Sequence, residues 1–208
     1  QLTKGLGAGA DPRIGREGRV ALDTNNAWTN LIDAVRAAAR FAPFDPWWLE
    51  EPFLPDATAN FAELAKRTSI PLATGELEST RWPFRQLLDE RSVHIIQADA
   101  TVCGGVTEWR RIAQMAAGFD VPVAPHWAPE IHSQLLAASP NCLALEYFTP
   151  DRDIVNFDRL VAEPLAPSGG MLRVSEKPGH GLTLNTAAVG RHLKHDSAIG
   201  TPIPGQRS

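Results

Sequence analysis

Six ionisable side chains recur along the sequence at intervals of 27, 26, 23, 27 and 20 residues, each just after a short apolar run. If those runs are parallel strands of a barrel, their carboxyl ends meet at one mouth and the six side chains share a pocket. Carboxylates and a histidine gathered in one pocket are suited to binding a cation and moving a proton. The six residues are Asp23, Glu50, Glu76, Asp99, His126 and Glu146.

The first three acids, Asp23, Glu50 and Glu76, predict a cation site. Three carboxylates on neighbouring strands would repel one another in a partly dry pocket unless a cation lies between them. Oxygen-only ligands select a hard ion, and few protein ligands with room for water and substrate oxygens favour Mg²⁺ over Ca²⁺. An isolated acid more often forms a salt bridge or caps a helix, so the interpretation depends on the joint pattern.

Glu51 lies beside Glu50. Because neighbouring residues of a strand point to opposite faces, only one of the two glutamates is expected to line the mouth. The residues alone leave that choice open.

Alternating strands and helices are predicted from residue 20 onward, because short apolar runs alternate with longer amphipathic stretches. A repeat of roughly 25 residues without a Rossmann glycine fingerprint favours a barrel over a doubly wound sheet. The predicted strands are 20–22, 48–49, 72–74, 95–97, 121–124 and 143–145, and the predicted helices are 29–41, 60–67, 81–90, 106–118 and 131–138.

Composition excludes several classes of protein. A formal charge of −4 and a pI of about 5.9 argue against nucleic-acid binding, which needs a clustered cationic surface. No apolar run approaches the roughly 18 residues of a membrane span. Two cysteines, Cys103 and Cys142, fit a reducing cytoplasm better than a disulfide-bonded protein. Small molecules are therefore the expected partners.

Several motifs resemble the mandelate racemase group of the enolase superfamily, in the same order and register. They are LDTNN around Asp23, WLEEPF around Glu50, TGE ending at Glu76, QADATVCGGVTEWRRIA around Asp99 and APHW around His126. The resemblance covers residues 19–184. It implies an α/β fold, the C-terminal part of a modified TIM-like (β/α)₇β barrel whose N-terminal capping domain and first strands are missing.

The resemblance also implies three parts of the chain and the ligands of the metal. Residues 1–18 are an irregular N-terminal remnant, 19–150 hold barrel strands three to eight, and 151–208 return toward the capping domain. Gln1 is not a start methionine, so we expect the chain to begin within a longer protein. Asp23, Glu50 rather than Glu51, and Glu76 become the Mg²⁺ ligands, and Asn25 lies in position to touch metal-bound substrate.

Catalytic roles follow from the same resemblance. His126 resembles the general base, Asp99 the partner that orients it, and Glu146 the group that hydrogen-bonds the developing enolate oxygen. A histidine suits this step because its pKa lies near working pH. Trp127 follows His126 and is expected to border the substrate. The remaining histidines considered, His94, His132 and His180, lack comparable partners and are predicted to be surface or structural residues.

The expected reaction is dehydration of an acid sugar to a 2-keto-3-deoxy acid, because GELESTRW and EYF look more like the sugar-acid dehydratases than the racemases. One alternative is a racemase or epimerase of a hydroxy acid, which needs a second base upstream of residue 1. Another is a barrel fragment without catalysis. A homo-oligomer is expected.

Overall fold

Parallel strands and helices alternate along the chain in the computed structural model, which describes residues 18–154 and 157–192. The strands pair in the order β1, β2, β3, β4, all parallel. Isolated parallel bridges from Ile96 to Val123 and from Val123 to Cys142 continue this order. The strands are β1 (Leu22–Asp23), β2 (Leu49–Glu50), β3 (Leu72–Thr74) and β4 (Ile95–Ile96); the helices are α1 (Leu31–Phe41), α2 (Thr58–Ala65), α3 (Arg81–Asp89), α4 (Val106–Gly118), α5 (Pro129–Ala137) and α6 (Thr186–His192).

Strand register brings the first acids together. Asp23 pairs with Glu50 across β1 and β2, and Glu50 pairs with Ala73 across β2 and β3. Glu76 follows β3 by two residues, so its backbone leaves the same end of the sheet. The carboxyl ends of the strands thus place three acids on one edge, as the spacing predicts.

Two predicted strands, 121–124 and 143–145, are wrong in extent, because only Val123 and Cys142 form bridges there. Pro122 has no backbone N–H and therefore removes one hydrogen bond from the ladder, although its carbonyl accepts one from Ile96. The second bridge lies one residue before the predicted run.

Helices α3 and α4 pack against each other and against strand β4. Phe84 and Leu87 of α3 pack with Trp109 and Ile112 of α4 and with Ile96 of β4 in one buried cluster. At the start of α3, Arg81 donates from Nε and Nη2 to both carboxylate oxygens of Glu108 on α4, at 2.7 Å each. This two-pronged ion pair fixes the relative position of two helices that precede and follow the loop of Asp99.

The chain divides into two compact units between Tyr147 and Phe148. Within the described part of the second unit, 3₁₀ turns at Pro150–Arg152 and Phe157–Leu160 precede antiparallel bridges that join Val161 to Leu184 and Ser168 to Met171. The helix α6 was not predicted in this Pro- and Gly-rich region; the Asn185 side chain caps it by accepting from the Ala188 N–H at 3.0 Å.

The remaining predictions on chain organisation can be compared only with the residues that the structure describes. The predicted N-terminal remnant, residues 1–18, lies outside them except for Gly18. None of the helices in the described ranges is long and apolar enough to cross a membrane.

Candidate active site

Asp23 and Asn25 form the start of the site at the end of β1. The Asn25 backbone N–H and its side-chain Nδ2 donate to the two carboxylate oxygens of Asp23, at 2.8 and 2.6 Å. Asn25 holds a left-handed backbone conformation, with φ of 47°, which an asparagine tolerates better than most residues. Asp23 itself is exposed, and its orientation is set by this local turn.

Glu50, at the end of β2, is buried and held by two donors. The Trp48 indole Nε1 donates to Oε2 at 2.9 Å, and the Gln97 side chain donates a second hydrogen bond. Burial raises the pKa of Glu50 to about 7 against these hydrogen bonds, and the negative charges of Asp23 and Glu146 add to the rise. The carboxylate is thus pre-positioned at an energetic cost that a neighbouring positive charge would offset.

Glu51 also faces the acidic cluster, so the expectation that only one of the two glutamates lines the mouth is wrong. Its φ of 41° leaves the extended conformation, and the alternation of a regular strand ends there. Burial, followed by the charges of Glu76, Asp23 and Glu50, raises its pKa to about 7. Asn26 Nδ2 donates to Glu51 Oε2 at 2.9 Å, while Oε1 is buried without a hydrogen-bond partner among the described residues.

Glu76 connects the acidic cluster to His126. Its Oε1 lies 3.8 Å from His126 Nε2. Burial raises the pKa of Glu76, the charge of His126 lowers it, and the charge of Asp23 raises it further. The charge of Asp23 thus acts on both Glu50 and Glu76.

The donor set fits a hard divalent cation. Oxygen atoms from three strand ends face one region, and every electrostatic effect among them is repulsive. Within residues 18–154 and 157–192, no three His, Cys, Asp or Glu side chains already stand at the spacing of a metal site. Asp23 lies opposite Glu50 in the sheet, and its charge acts on both Glu50 and Glu76, but the role of the three acids as a ligand set stays a prediction.

His126 and Asp99 form a dyad with a defined tautomer. His126 Nδ1 lies 3.0 Å from Asp99 Oδ2, and a carboxylate only accepts, so Nδ1 carries the proton and Nε2 is the basic atom. Thr101 donates from its backbone N–H and its hydroxyl to Asp99 Oδ1, at 2.7 and 2.8 Å. This leaves Asp99, 1% exposed, with one oxygen for the ring.

Electrostatics favour a charged ring. Burial alone would lower the pKa of His126, but the hydrogen bond to Asp99 and the charges of Glu76 and Glu146 raise it to about 9. Burial would likewise raise the pKa of Asp99, but its hydrogen bonds with His126 and Thr101 outweigh burial and lower it. The dyad can therefore accept a proton at Nε2 and stabilise the imidazolium that forms.

Glu146 is fixed through the backbone of Trp127. The Trp127 N–H donates to Glu146 Oε2 at 2.6 Å, and the indole ring centroid lies 6.3 Å from that of His126. Burial raises the pKa of Glu146, although this hydrogen bond opposes the rise. Only the protonated form of a carboxyl group can donate a hydrogen bond to a developing oxyanion, and a raised pKa favours that form. Trp127 and Asn25 lie beside predicted site residues, and their contact with substrate stays a prediction.

His132 is the residue whose surroundings the sequence interpretation missed. It is 0% exposed, and its ring lies between the loop of Asp99 and the loop of His126. The sequence offered one signal: His132 precedes Leu135 and Leu136 by three and four residues, which puts it on the apolar face of α5.

A family model described as "Enolase C-terminal domain-like" matches residues 9–188. The chain belongs to that family. The resemblance in its motifs is thereby confirmed. A curated relative of this enolase-type chain is the D-xylonate dehydratase of Haloferax volcanii, 34% identical over 189 residues that cover 86% of this chain and 44% of the relative. The chain thus spans about half the length of the curated relatives it matches.

Solved structures agree with the family assignment and confirm the predicted α/β fold. An L-talarate dehydratase from a Polaromonas species, crystallised with Mg and L-glucarate, matches with a TM-score of 0.77 and 30% identity, over 86% of this chain and 48% of that one. A racemase from Streptomyces coelicolor with bound magnesium matches with a TM-score of 0.78 and 28% identity, over 85% and 47%. The enolase-type fold is therefore shared by proteins of both reaction types.

Proposed function

We propose that this chain carries the proton-abstracting half of a Mg²⁺-dependent acid-sugar dehydratase, which converts a sugar acid to a 2-keto-3-deoxy acid. The observation that carries the proposal is the His126–Asp99 dyad, whose basic atom Nε2 faces the acidic cluster 3.8 Å from Glu76 Oε1. A base beside a cluster of cation-binding oxygens is the arrangement needed to remove a proton next to a carboxylate. Similarity to dehydratases of D-xylonate and arabinonate supports a sugar acid as the substrate class.

Asp23, Glu50 and Glu76 would hold the magnesium ion, with Glu51 beside them. When bound, the ion supplies positive charge that stabilises negative charge developing on the substrate carboxylate. The negative charge of Glu76 is one of the effects that raise the pKa of His126, and a bound cation would offset that charge. Ligation by Glu76 would therefore shift His126 back toward the neutral form that a general base requires.

His126 removes the α-proton at Nε2 while Asp99 holds Nδ1 and stabilises the resulting imidazolium. Glu146, kept in place by the Trp127 N–H, offers a hydrogen bond to the developing enolate oxygen. The electron pair of the broken C–H bond then expels the β-hydroxyl, which leaves as water with the proton that His126 had taken. The enol product takes up a solvent proton at the former β-carbon, releases its hydroxyl proton and becomes the 2-keto-3-deoxy acid.

Product analysis tests this function. The full-length protein with Mg²⁺ is incubated with a panel of aldonic and aldaric acids, and 2-keto-3-deoxy acid is measured. We expect product from at least one acid, and its loss in His126→Asn but not in His94→Asn, a histidine on the surface away from the site. Absence of a 2-keto product with every acid would contradict the dehydratase assignment.

A racemase or epimerase is the second candidate, favoured by the structural match to the Streptomyces coelicolor racemase. The same panel in D₂O separates the two. Deuterium incorporation at the α-carbon without elimination would indicate the racemase reaction. If neither exchange nor elimination occurred, the chain would be a domain without catalysis.

A further inference from the structure

His132 on α5 joins two loops that carry the dyad. The first loop, residues 97–105, holds Asp99; the second, residues 124–128, holds His126 and Trp127. The Ala100 N–H donates to His132 Nε2 at 2.9 Å, and His132 Nδ1 lies 2.6 Å from the Trp127 carbonyl oxygen. One buried ring thus hydrogen-bonds to the residue after Asp99 and to the residue after His126.

The tautomer of this ring follows from its partners. A backbone N–H only donates, so Nε2 must be unprotonated; a carbonyl only accepts, so Nδ1 must carry the proton. Burial lowers the pKa of His132 against the opposing effects of the Trp127 carbonyl and Asp99, which agrees with a neutral ring. The approach of His132 Nε2 to Asp99 Oδ1, at 3.7 Å, is therefore not an ion pair.

The backbone that His132 binds is in an unfavourable conformation. Trp127 and Ala128 are consecutive non-glycine residues with φ of 40° and 42°, values that are costly for side chains with a Cβ. Trp127 is held at both of its peptide groups: its N–H donates to Glu146, and its carbonyl accepts from His132. The His132 ring therefore helps to hold the turn that aims His126 and that presents the N–H to Glu146.

We propose that His132 is a positioning residue that sets the separation of the Asp99 and His126 loops and holds the Trp127 turn against Glu146. This inference rests on the proposed function for its kinetic consequence. It differs from a packing role, in which the ring only fills space beside Trp109, whose ring centroid lies 6.2 Å away. A packing role depends on volume, whereas a positioning role depends on the donor and the acceptor.

Two variants separate volume from hydrogen bonding in the full-length protein. His132→Phe keeps an aromatic ring of similar size but loses both hydrogen bonds, and His132→Gln keeps one donor and one acceptor. For His132→Phe with Mg²⁺ and the turned-over acid sugar, we expect kcat to fall on the order of 100-fold with little change in KM, because catalytic geometry is lost while substrate contacts remain. His132→Gln should recover a substantial part of kcat.

Amide hydrogen exchange gives a readout that needs no activity. In His132→Phe the amides of Ala100 and Trp127 should both exchange faster, and in His132→Gln both should be protected again. His94→Phe is the matched control: His94 Nδ1 also accepts from a backbone N–H, that of Leu72, at 3.0 Å, but at the other end of the strands. It should leave kcat and both amides unchanged.

Three results would overturn the inference. They are a folded His132→Phe with kcat close to that of the wild type, a Trp127 amide that stays protected in that variant, or ¹⁵N NMR of the wild type that finds the Nδ1 of His132 without a proton. The NMR measurement decides the matter even if neither variant folds. If the wild type turns over no acid sugar, the proposed function fails on its own, and the exchange and NMR results still decide the role of His132.

Discussion

His126 and Asp99 illustrate how fixed hydrogen bonds determine which ring nitrogen of a histidine is basic. Thr101 occupies Oδ1 of Asp99 with two donors, so Oδ2 is left to hold the Nδ1–H of His126. The ring is then committed to one tautomer, with its basic atom toward the acidic cluster. The choice of tautomer therefore depends on Thr101, which acts on the ring through Asp99.

Asp99→Asn should reverse the tautomer of His126 without unfolding the site. The two Thr101 donors require an oxygen at the Oδ1 position, so the asparagine NH₂ would face the ring and turn Nδ1 into an acceptor. The proton then sits on Nε2, which can no longer accept one. We expect kcat to fall by roughly 100- to 10,000-fold, measured as product formation from the turned-over acid sugar.

The control for this change is Asp89→Asn, which breaks only an exposed pair with Arg85 on α3. That variant should keep wild-type kcat. A wild-type rate in Asp99→Asn, or a ¹⁵N spectrum in which Nδ1 of His126 remains protonated, would be incompatible with the dyad.

At the scale of single residues, the sequence is a better guide to which residues form the site than to the surroundings of each residue. The family resemblance implied Asp99 as the partner of His126, and the two side chains lie in hydrogen-bond contact, while their catalytic roles stay predictions. The burial of Glu51 was not predictable from alternation, since a left-handed φ of 41° interrupts the strand. His132 was missed because its partners are backbone groups of two distant loops, which no side-chain pattern reveals.

Among the elements, the turn after β3 carries the most demanding backbone position. Gly75 has φ of +132°, and a Cβ added there would lie 2.6 Å from Cε1 of Phe84 on α3. The chain passes so close to the ring that only glycine fits, and the next residue is Glu76. Gly75→Ala should therefore lower the free energy of unfolding by about 1–3 kcal/mol and weaken Mg²⁺ binding by displacing Glu76.

Urea unfolding and a Mg²⁺ titration measure the two effects of Gly75→Ala. Gly118→Ala is the matched control, because Gly118 ends α4 with nothing within 4 Å of an added Cβ. It should leave the protein as stable or up to about 1 kcal/mol more stable. If Gly75→Ala behaved like Gly118→Ala, the close approach to Phe84 would not constrain the turn.

The ion pair between α3 and α4 predicts a pH dependence of stability. Hydrogen bonds from Arg81 lower the pKa of Glu108 from an ordinary 4.5 to about 2. A lowered folded-state pKa means that the contribution is complete above about pH 4.5 and is lost as the pH falls toward 2. Glu108→Gln should thus destabilise the protein at pH 7 by more than at pH 3.

Urea unfolding of Glu108→Gln at both pH values checks this expectation. Glu63→Gln, which loses only exposed pairs with Lys66 and Arg67, serves as the control and should change stability little at either pH. A destabilisation by Glu108→Gln that is the same at pH 7 and pH 3 would show that the charge of Glu108 is not what matters.

Elements with a clear hydrophobic periodicity were predictable from the sequence. Elements whose extent depends on a single residue were not. The bounds of α4 agree with the predicted 106–118, and β3 with the predicted 72–74. The strand around Val123 shrank to a bridge because Pro122 cannot donate. Helix α6 escaped prediction because the glycines and prolines around it suggested extended chain, although Asn185 provided a cap signal.

Across the molecule, negative charge is concentrated where an anionic substrate would have to bind. The chain carries a formal charge of −4, and acids from four strand ends face the proposed site. A sugar acid brings one more carboxylate. Two sets of negative charges repel each other, and a cation between them would offset this repulsion. If the proposed function holds, metal binding would serve substrate affinity as well as the chemical step.

The same repulsion predicts that Mg²⁺ stabilises the whole protein. Ligand that binds the folded state at about 100 times its Kd contributes roughly 2.7 kcal/mol, which for a chain of this size corresponds to a rise in Tm on the order of 5–10 °C. Glu76→Gln should keep the fold but lose most of this rise, because it removes a charged ligand. Glu63→Gln on α2, which loses only exposed ion pairs, should retain it. Thermal unfolding with EDTA and with increasing Mg²⁺ measures the difference. A Tm that is independent of Mg²⁺ in the wild type, or an equal rise in Glu76→Gln, would mean that these carboxylates do not share a cation.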